Sequence, residues 1–208
     1  MLFTLVMLII FRLGSFIPVP GMNTEALSQL IQSGGLLGFF NTISGGAFDN
    51  FAIFAMSITP YINSTIIMQL LTIAIPSLEA LAKEGEEGRR KIAQYTRYGT
   101  VILALIQALA LSYGLRGYLL RTDAASIILV ALSLTAGTAF LMWLGEQINE
   151  KGIGNGISLL IFAGIVSRVP GGVLKIVELY KVKSTNLIEI AFFLIFAILI
   201  IMAVIFIQ

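Results

Sequence analysis

A polar cluster interrupts an apolar stretch between Ser57 and Ser64, where the sequence reads Ser-Ile-Thr-Pro-Tyr-Ile-Asn-Ser. The surrounding residues 51–75 are long and apolar enough to cross a bilayer, which takes about 20 mostly apolar residues in a helix. Inside such a helix Pro60 would remove one backbone hydrogen bond and produce a kink. Polar side chains at this depth either join neighbouring helices or line a polar path. The cluster therefore predicts a broken membrane element beside another helix or beside water.

Two pairs of isoleucines have the spacing of one helix face. Ile58 and Ile62 are four residues apart, as are Ile157 and Ile161, and side chains so spaced are neighbours on a helix surface. Most isoleucines of this kind face lipid or a protein core. They can also form a narrow apolar constriction that closes a pore by excluding water. The spacing alone leaves both interpretations open.

A glycine-rich apolar segment, residues 34–46, precedes the polar cluster. Leu37, Phe40 and Ile43 would lie on the apolar side of a helix of about two turns, and the glycines at both ends would allow it to swing. Non-helical backbone survives at membrane depth only where protein or a water-filled cavity surrounds it. The segment is therefore either a re-entrant plug or an external loop with a short packed helix.

Two residue types that are common in enzyme active sites are absent from the sequence. It contains no histidine and no cysteine, which excludes thiolate metal sites and the commonest general base. No charged residue lies in the middle of an apolar stretch, as ion-coupled transporters usually require. Arg12 lies near a predicted helix end, where it can snorkel to the interface, and we interpret it as a structural residue. With a net charge of +2 and no aromatic-basic patch, we expect no direct DNA binding.

The composition, 58% hydrophobic and 12% charged, indicates an all-α membrane protein, because lipid offers no hydrogen-bond partners to an open backbone. Both ends of the sequence are apolar, so we expect it to be part of a longer protein. The loop 77–98 contains five lysine and arginine residues and the loop 19–50 contains none, so the loop 77–98 is predicted to be cytoplasmic. Six candidate spans are present: residues 1–17, 51–75, 100–115, 124–144, 156–169 and 187–207.

Several motifs, in order from Phe11 to Val166, resemble the bacterial SecY family, the central subunit of the Sec protein-conducting channel. They are Phe-Arg-Leu-Gly-Ser-Phe-Ile-Pro-Val-Pro-Gly (11–21), Ser-Gly-Gly-Ala (44–47), Pro-Tyr-Ile (60–62), Lys-Glu-Gly-Glu-Glu-Gly-Arg-Arg-Lys (83–91), Gln-Tyr-Thr-Arg-Tyr-Gly (94–99), Trp-Leu-Gly-Glu-Gln-Ile (143–148), Gly-Ile-Gly-Asn-Gly-Ile-Ser (152–158) and Ile-Phe-Ala-Gly-Ile-Val (161–166).

The resemblance implies a polytopic all-α fold with six of the ten spans of an inverted-repeat channel and a short re-entrant plug helix. Residues 1–170 would form the first five spans, with the plug at 34–47, and residues 171–208 an external loop and the sixth span. It also implies site residues. They are a pore ring of Ile58, Ile62, Ile157 and Ile161; a plug with Leu37, Phe40, Ile43, Gly45 and Gly46; a lateral gate with Asn63, Gln69 and Gln107; and a cytoplasmic partner loop with Arg89, Arg90 and Lys91.

The function implied by this resemblance is passive movement of unfolded secretory polypeptides across the bacterial plasma membrane and release of membrane segments into it. The expected partners are SecE, SecG, the SecA motor, the ribosome, signal sequences, nascent polypeptides and membrane lipid. We expect no enzymatic activity, cofactor or metal, and the sequence has no nucleotide motif of the GxxxxGK[ST] type. The rival interpretations are a transporter half, an intramembrane enzyme and a structural scaffold.

Overall fold

The computed structural model describes residues 1–24, 26–28, 41, 44–181 and 187–207. β structure in these residues is confined to two isolated bridges, Pro18 to Ala52 and Met22 to Leu119. The chain divides into two units, residues 1–166 and 167–208. The first unit contains α1 (Leu2–Gly14), α2 (Thr59–Ala74), α3 (Pro76–Lys83), α4 (Glu86–Gly114), a 3-10 turn (Arg116–Tyr118), α5 (Ala124–Lys151) and α6 (Gly156–Val166).

The second predicted span is only partly helical. Residues 44–58 form a series of turns, and α2 begins at Thr59. Phe51, Phe54 and Ile58 are buried within these turns, as expected for irregular backbone that is surrounded by protein. The prediction of a kink at Pro60 is wrong, because Pro60 lies in the first turn of α2. Backbone N–H groups at that position have no partner within the helix, so proline is tolerated there.

The predicted basic loop 77–98 is also mostly helical. The chain bends by 101° between α2 and α3 at Pro76, because the residue before a proline is restricted to extended backbone and Ile75 has φ −110° and ψ 113°. A short turn then leads to α4, whose first helical residue is Glu86. At Gly88 a Cβ would lie 1.7 Å from the carbonyl oxygen of Leu81, so only glycine permits this tight α3–α4 hairpin.

The hydropathy pattern likewise underestimated the lengths of the helices that follow. α5 extends to Lys151, seven residues beyond the predicted span 124–144. In the second unit, α7 (Val169–Lys181) lies where residues 171–208 were predicted to begin with an external loop. The same unit contains α8 (Leu187–Ile207), which matches the predicted sixth span. Apolar patterning marks the part of a helix that suits hydrocarbon, whereas the helix itself continues into polar sequence.

The first unit is a helix bundle with α4 packed against both α2 and α5. Its buried residues form two apolar clusters, one around Phe51, Leu115 and Leu134 and the other around Phe54, Leu141 and Ile148. Among the described residues, Ala124–Lys151 and Gly156–Leu174 are long and apolar enough to cross a membrane, and the bent pair α2–α3 is a third if it counts as one span. The fold is therefore that of an α-helical membrane protein.

Candidate functional site

The two isoleucine pairs meet in a single apolar cluster. Ile58 is 2% exposed and belongs to the buried part of this cluster. Ile62, on the first turn of α2, and Ile157 and Ile161, on α6, are half-buried and pack against it. The structure thus brings together two isoleucine pairs that are far apart in the sequence, and all four side chains are apolar.

A tight turn between α5 and α6 orients Ile157 and Ile161. A Cβ at Gly156 would lie 2.1 Å from the carbonyl oxygen of Gly145, and one at Gly145 would lie 2.5 Å from Cδ1 of Ile157. The backbone N–H of Gly156 donates to Oδ1 of Asn149 over 2.7 Å. Across the bundle, the N–H of Ile153 donates to Oγ1 of Thr4 on α1 over 3.2 Å. These contacts fix the start of α6 against α5 and α1.

The last part of the predicted plug, which includes Gly45 and Gly46, is held by polar contacts. Nη1 of Arg12 donates to the carbonyl oxygen of Gly45 over 2.8 Å. This contact gives Arg12, near the end of α1, a structural role in the bundle. Gly45 has φ +66°, and a Cβ on it would lie 2.7 Å from Cα of Gly164 on α6. Gly46 is half-buried with φ +92°. Leu37, Phe40 and Ile43 lie outside the described residues.

The polar residues of α2 have unequal roles. Ser64 is buried, and its Oγ donates to the carbonyl oxygen of Thr96 on α4 over 2.8 Å. Asn63 is half-buried, Gln69 is exposed and Gln107 on α4 is half-buried. Within the described part of the chain, no hydrogen bond joins Gln107 to Asn63 or Gln69. Ser64, which the sequence did not distinguish from its neighbours, therefore holds α2 against α4.

The predicted partner loop is the exposed first part of α4. Arg89, Arg90 and Lys91 are all exposed there, and Nζ of Lys91 lies 3.8 Å from Oε1 of Glu87. Further along the helix, Nε of Arg97 donates to Oε1 of Glu146 on α5 over 2.6 Å. This ion pair could not be predicted from the sequence, because opposite charges on two helices carry no signal that they face each other.

Apolar helices, buried irregular turns and a cluster of branched apolar side chains define the class: a polytopic α-helical membrane protein. The family model for SecY matches residues 52–208. The chain belongs to the SecY family, and the resemblance noted from its motifs is confirmed.

Curated relatives agree with this assignment. The chain is 50% identical over its whole length to the protein translocase subunit SecY of Halalkalibacterium halodurans and 49% identical to that of Bacillus subtilis, and it covers 50% of each. It is 48% identical to SecY of Escherichia coli over 86% of this chain and 42% of that protein. The chain thus spans about half the length of the curated relatives it matches.

Solved structures show the same fold at lower identity. A chain described as "The structure of a protein conducting channel" matches with a TM-score of 0.56 and 22% identity, covering 80% of this chain and 35% of that chain. A chain described as "Sec61 in the Canine ribosome-channel complex from the endoplasmic reticulum" matches with the same values. At this identity the likeness establishes the fold, and the all-α membrane architecture predicted from the sequence is confirmed.

Proposed function

We propose that this chain supplies part of a protein-conducting channel in the bacterial plasma membrane, through which unfolded secretory polypeptides pass. The proposal is supported by membership of the SecY family and by relatives that are named protein translocase subunits. The single observation that carries it is the convergence of Ile58, Ile62, Ile157 and Ile161 in one apolar cluster. In this proposal these side chains form part of a constriction at the waist of the channel.

Apolar branched side chains suit such a constriction for two reasons. A narrow apolar ring stays dry and so blocks ions when no polypeptide is present. Because isoleucine offers no side-chain hydrogen bond, the ring also slides over many different side chains without binding any of them strongly. The plug, with Leu37, Phe40, Ile43, Gly45 and Gly46, would complete the seal. Movement of the polypeptide would be powered by partners, and the channel would be a passive pore with no enzymatic activity and no cofactor.

Release of membrane segments requires a second opening toward lipid. We place this lateral gate beside α2 and α4, at Asn63, Gln69 and Gln107, where half-buried or exposed polar side chains weaken an otherwise apolar surface. A signal sequence that binds there would shift a closed–open equilibrium by its differential affinity for the two states. The exposed first part of α4, with Arg89, Arg90 and Lys91, would dock SecA or the ribosome, since arginine forms forked contacts with carboxylates and phosphates. SecE and SecG would complete the membrane complex.

The direct test is the resting ion conductance of the full-length protein, reconstituted with its partner subunits in planar bilayers. We expect Ile62→Asn and Ile161→Asn to raise this conductance, because an amide hydrates the constriction and removes the barrier to ions. Ile102→Asn is the matched control, since Ile102 is an exposed residue of α4 outside the cluster. Wild-type conductance in both cluster variants would contradict the proposed constriction.

A further inference from the structure

Arg12 is a cation in an otherwise apolar helix, where a charge is costly unless it has partners. It takes part in none of the ion pairs among the described residues. Its guanidinium instead donates to the carbonyl oxygen of Gly45 and lies 4.9 Å from the ring centroid of Phe16. A charged donor makes a stronger hydrogen bond than a neutral one. The partner of this arginine is thus the backbone of Gly45, in the last part of the predicted plug.

Hydrogen bonds within this region also hold the backbone around Gly45 in place. Nδ2 of Asn41 donates to Oδ1 of Asp49 over 2.6 Å, and the N–H of Asp49 donates to Oδ1 of Asn41 over 3.0 Å. The N–H of Gly46 donates to the carbonyl oxygen of Asn41 over 3.0 Å. Residues 41 and 44–49 are therefore joined by reciprocal bonds that close a compact turn.

The same turn touches the helix of the isoleucine cluster. Gly45 packs against Gly164, which follows Ile157 and Ile161 at positions i+7 and i+3 and so lies on their face of α6. The residue before Arg12, Phe11, is buried in the isoleucine cluster. α1 therefore contacts both the cluster, through Phe11, and the turn that packs beside it, through Arg12.

We infer that Arg12 is a positioning residue: its bond to Gly45 fixes the turn 44–49 against α6 and thereby keeps the resting constriction closed. This inference rests on the proposed function. Gly45 and Gly46 then serve as an anchor, because their left-handed backbone presents the Gly45 carbonyl to Arg12 and allows contact with Gly164. They are not the hinge that their composition suggested.

The test uses the full-length protein with its partner subunits in lipid nanodiscs and bilayers. We expect Arg12→Met to raise amide hydrogen exchange in residues 44–52 about tenfold, the factor that corresponds to losing one charged hydrogen bond, and to raise resting ion conductance. Arg12→Lys keeps a charged donor, so both effects should be smaller. Arg116→Met is the matched control, because Arg116 is exposed and its guanidinium lies against Tyr113 at the end of α4, away from Gly45.

Gly45→Ala disturbs the same contact at the residue that accepts the hydrogen bond. It provides a second test if Arg12→Met fails to fold. Unchanged amide hydrogen exchange in residues 44–52 in these variants would contradict the inference that the Arg12–Gly45 bond fixes this turn. Faster exchange with wild-type conductance would overturn its role in closing the pore. Translocation of a reporter by the wild-type protein in the same membranes tests the proposed function separately, since the exchange measurement does not depend on transport.

Discussion

Small residues make the closest contacts in this bundle. At Gly137 on α5, a Cβ would lie 2.0 Å from the carbonyl oxygen of Ile53, and at Gly156 it would lie 2.1 Å from that of Gly145. Apolar burial does not drive helices together in lipid, so association depends on close packing and on hydrogen bonds, both of which small residues permit. The irregular turns at residues 44–58 can lie against α5 only because Gly137 has no side chain.

Gly137→Ala should destabilise the protein by about 1–3 kcal/mol, the usual cost of overpacking. The added methyl group would clash with backbone at Ile53, which cannot move as a flexible side chain would. The measurement is thermal unfolding of the full-length protein in detergent, with Gly114→Ala as the control because a Cβ there meets nothing within 4 Å. Equal melting temperatures for the two variants would contradict the close contact.

Replacing a buried hydroxyl on α5 should stabilise the protein, in contrast to the change at Gly137. Thr138 is 1% exposed, and its Oγ1 has no hydrogen-bond partner in the described structure. Leaving such a group unpaired costs about 1–3 kcal/mol, so Thr138→Val should stabilise the protein against thermal unfolding. Thr135→Val is the control, since Oγ1 of Thr135 donates to the carbonyl oxygen of Ala131 over 2.7 Å. If Thr138→Val lowers the stability as much as Thr135→Val does, the Thr138 hydroxyl is not an unpaired group.

Three helices are joined near one level of the bundle by polar contacts. The carbonyl oxygen of Thr96 on α4 accepts from Ser64 of α2 and from Thr100 of its own helix. The next residue, Arg97, pairs with Glu146 of α5. One turn of α4 thus bonds to α2 through Thr96 and to α5 through Arg97.

The Arg97–Glu146 pair should contribute little to stability despite its short distance. The two side chains are 43% and 19% exposed, and partly exposed pairs of this kind contribute about 0.2–1 kcal/mol. A double-mutant cycle with Arg97→Gln and Glu146→Gln, measured by unfolding at low and high salt, should give a coupling in that range that falls with salt. A salt-independent coupling well above it would show that the pair is effectively buried.

The elements could be predicted from sequence more reliably than their ends. A helix was found within every predicted span because apolar runs of that length have few other structures in lipid. The errors at Pro60 and in residues 77–98 share one cause. Hydropathy reports the solvent around a segment, whereas helix ends depend on caps, prolines and tight turns such as those at Pro76 and Gly88.

The candidate site was predictable only in part. The spacing of Ile157 and Ile161 gave their common face, since that follows from helix geometry alone. Contacts between distant segments, such as Arg12 with Gly45, had no local signal, because a lone arginine in an apolar helix fits a snorkelling position equally well. The roles assigned to the ring, plug, gate and docking residues come from the family resemblance and stay predictions.

At the scale of the whole molecule, the helices expose apolar side chains along much of their length, for example Ile102 of α4 and Leu132 of α5. Such surfaces suit lipid and subunit contacts, whereas the cluster around Ile58 collects apolar side chains from α1, α2, α5 and α6 inside the bundle. The central claim is that this cluster, and not the exposed apolar surface, meets the moving polypeptide.

Site-specific photo-cross-linking in the full-length protein tests that claim most directly. A photoreactive residue is placed at position 62 or 161, and for comparison at 102 or 132, while a secretory polypeptide is arrested partway across the membrane. We predict cross-links to the arrested polypeptide from positions 62 and 161 and none from 102 and 132. Equal cross-linking from all four positions, or cross-linking from 102 and 132 alone, would contradict the claim.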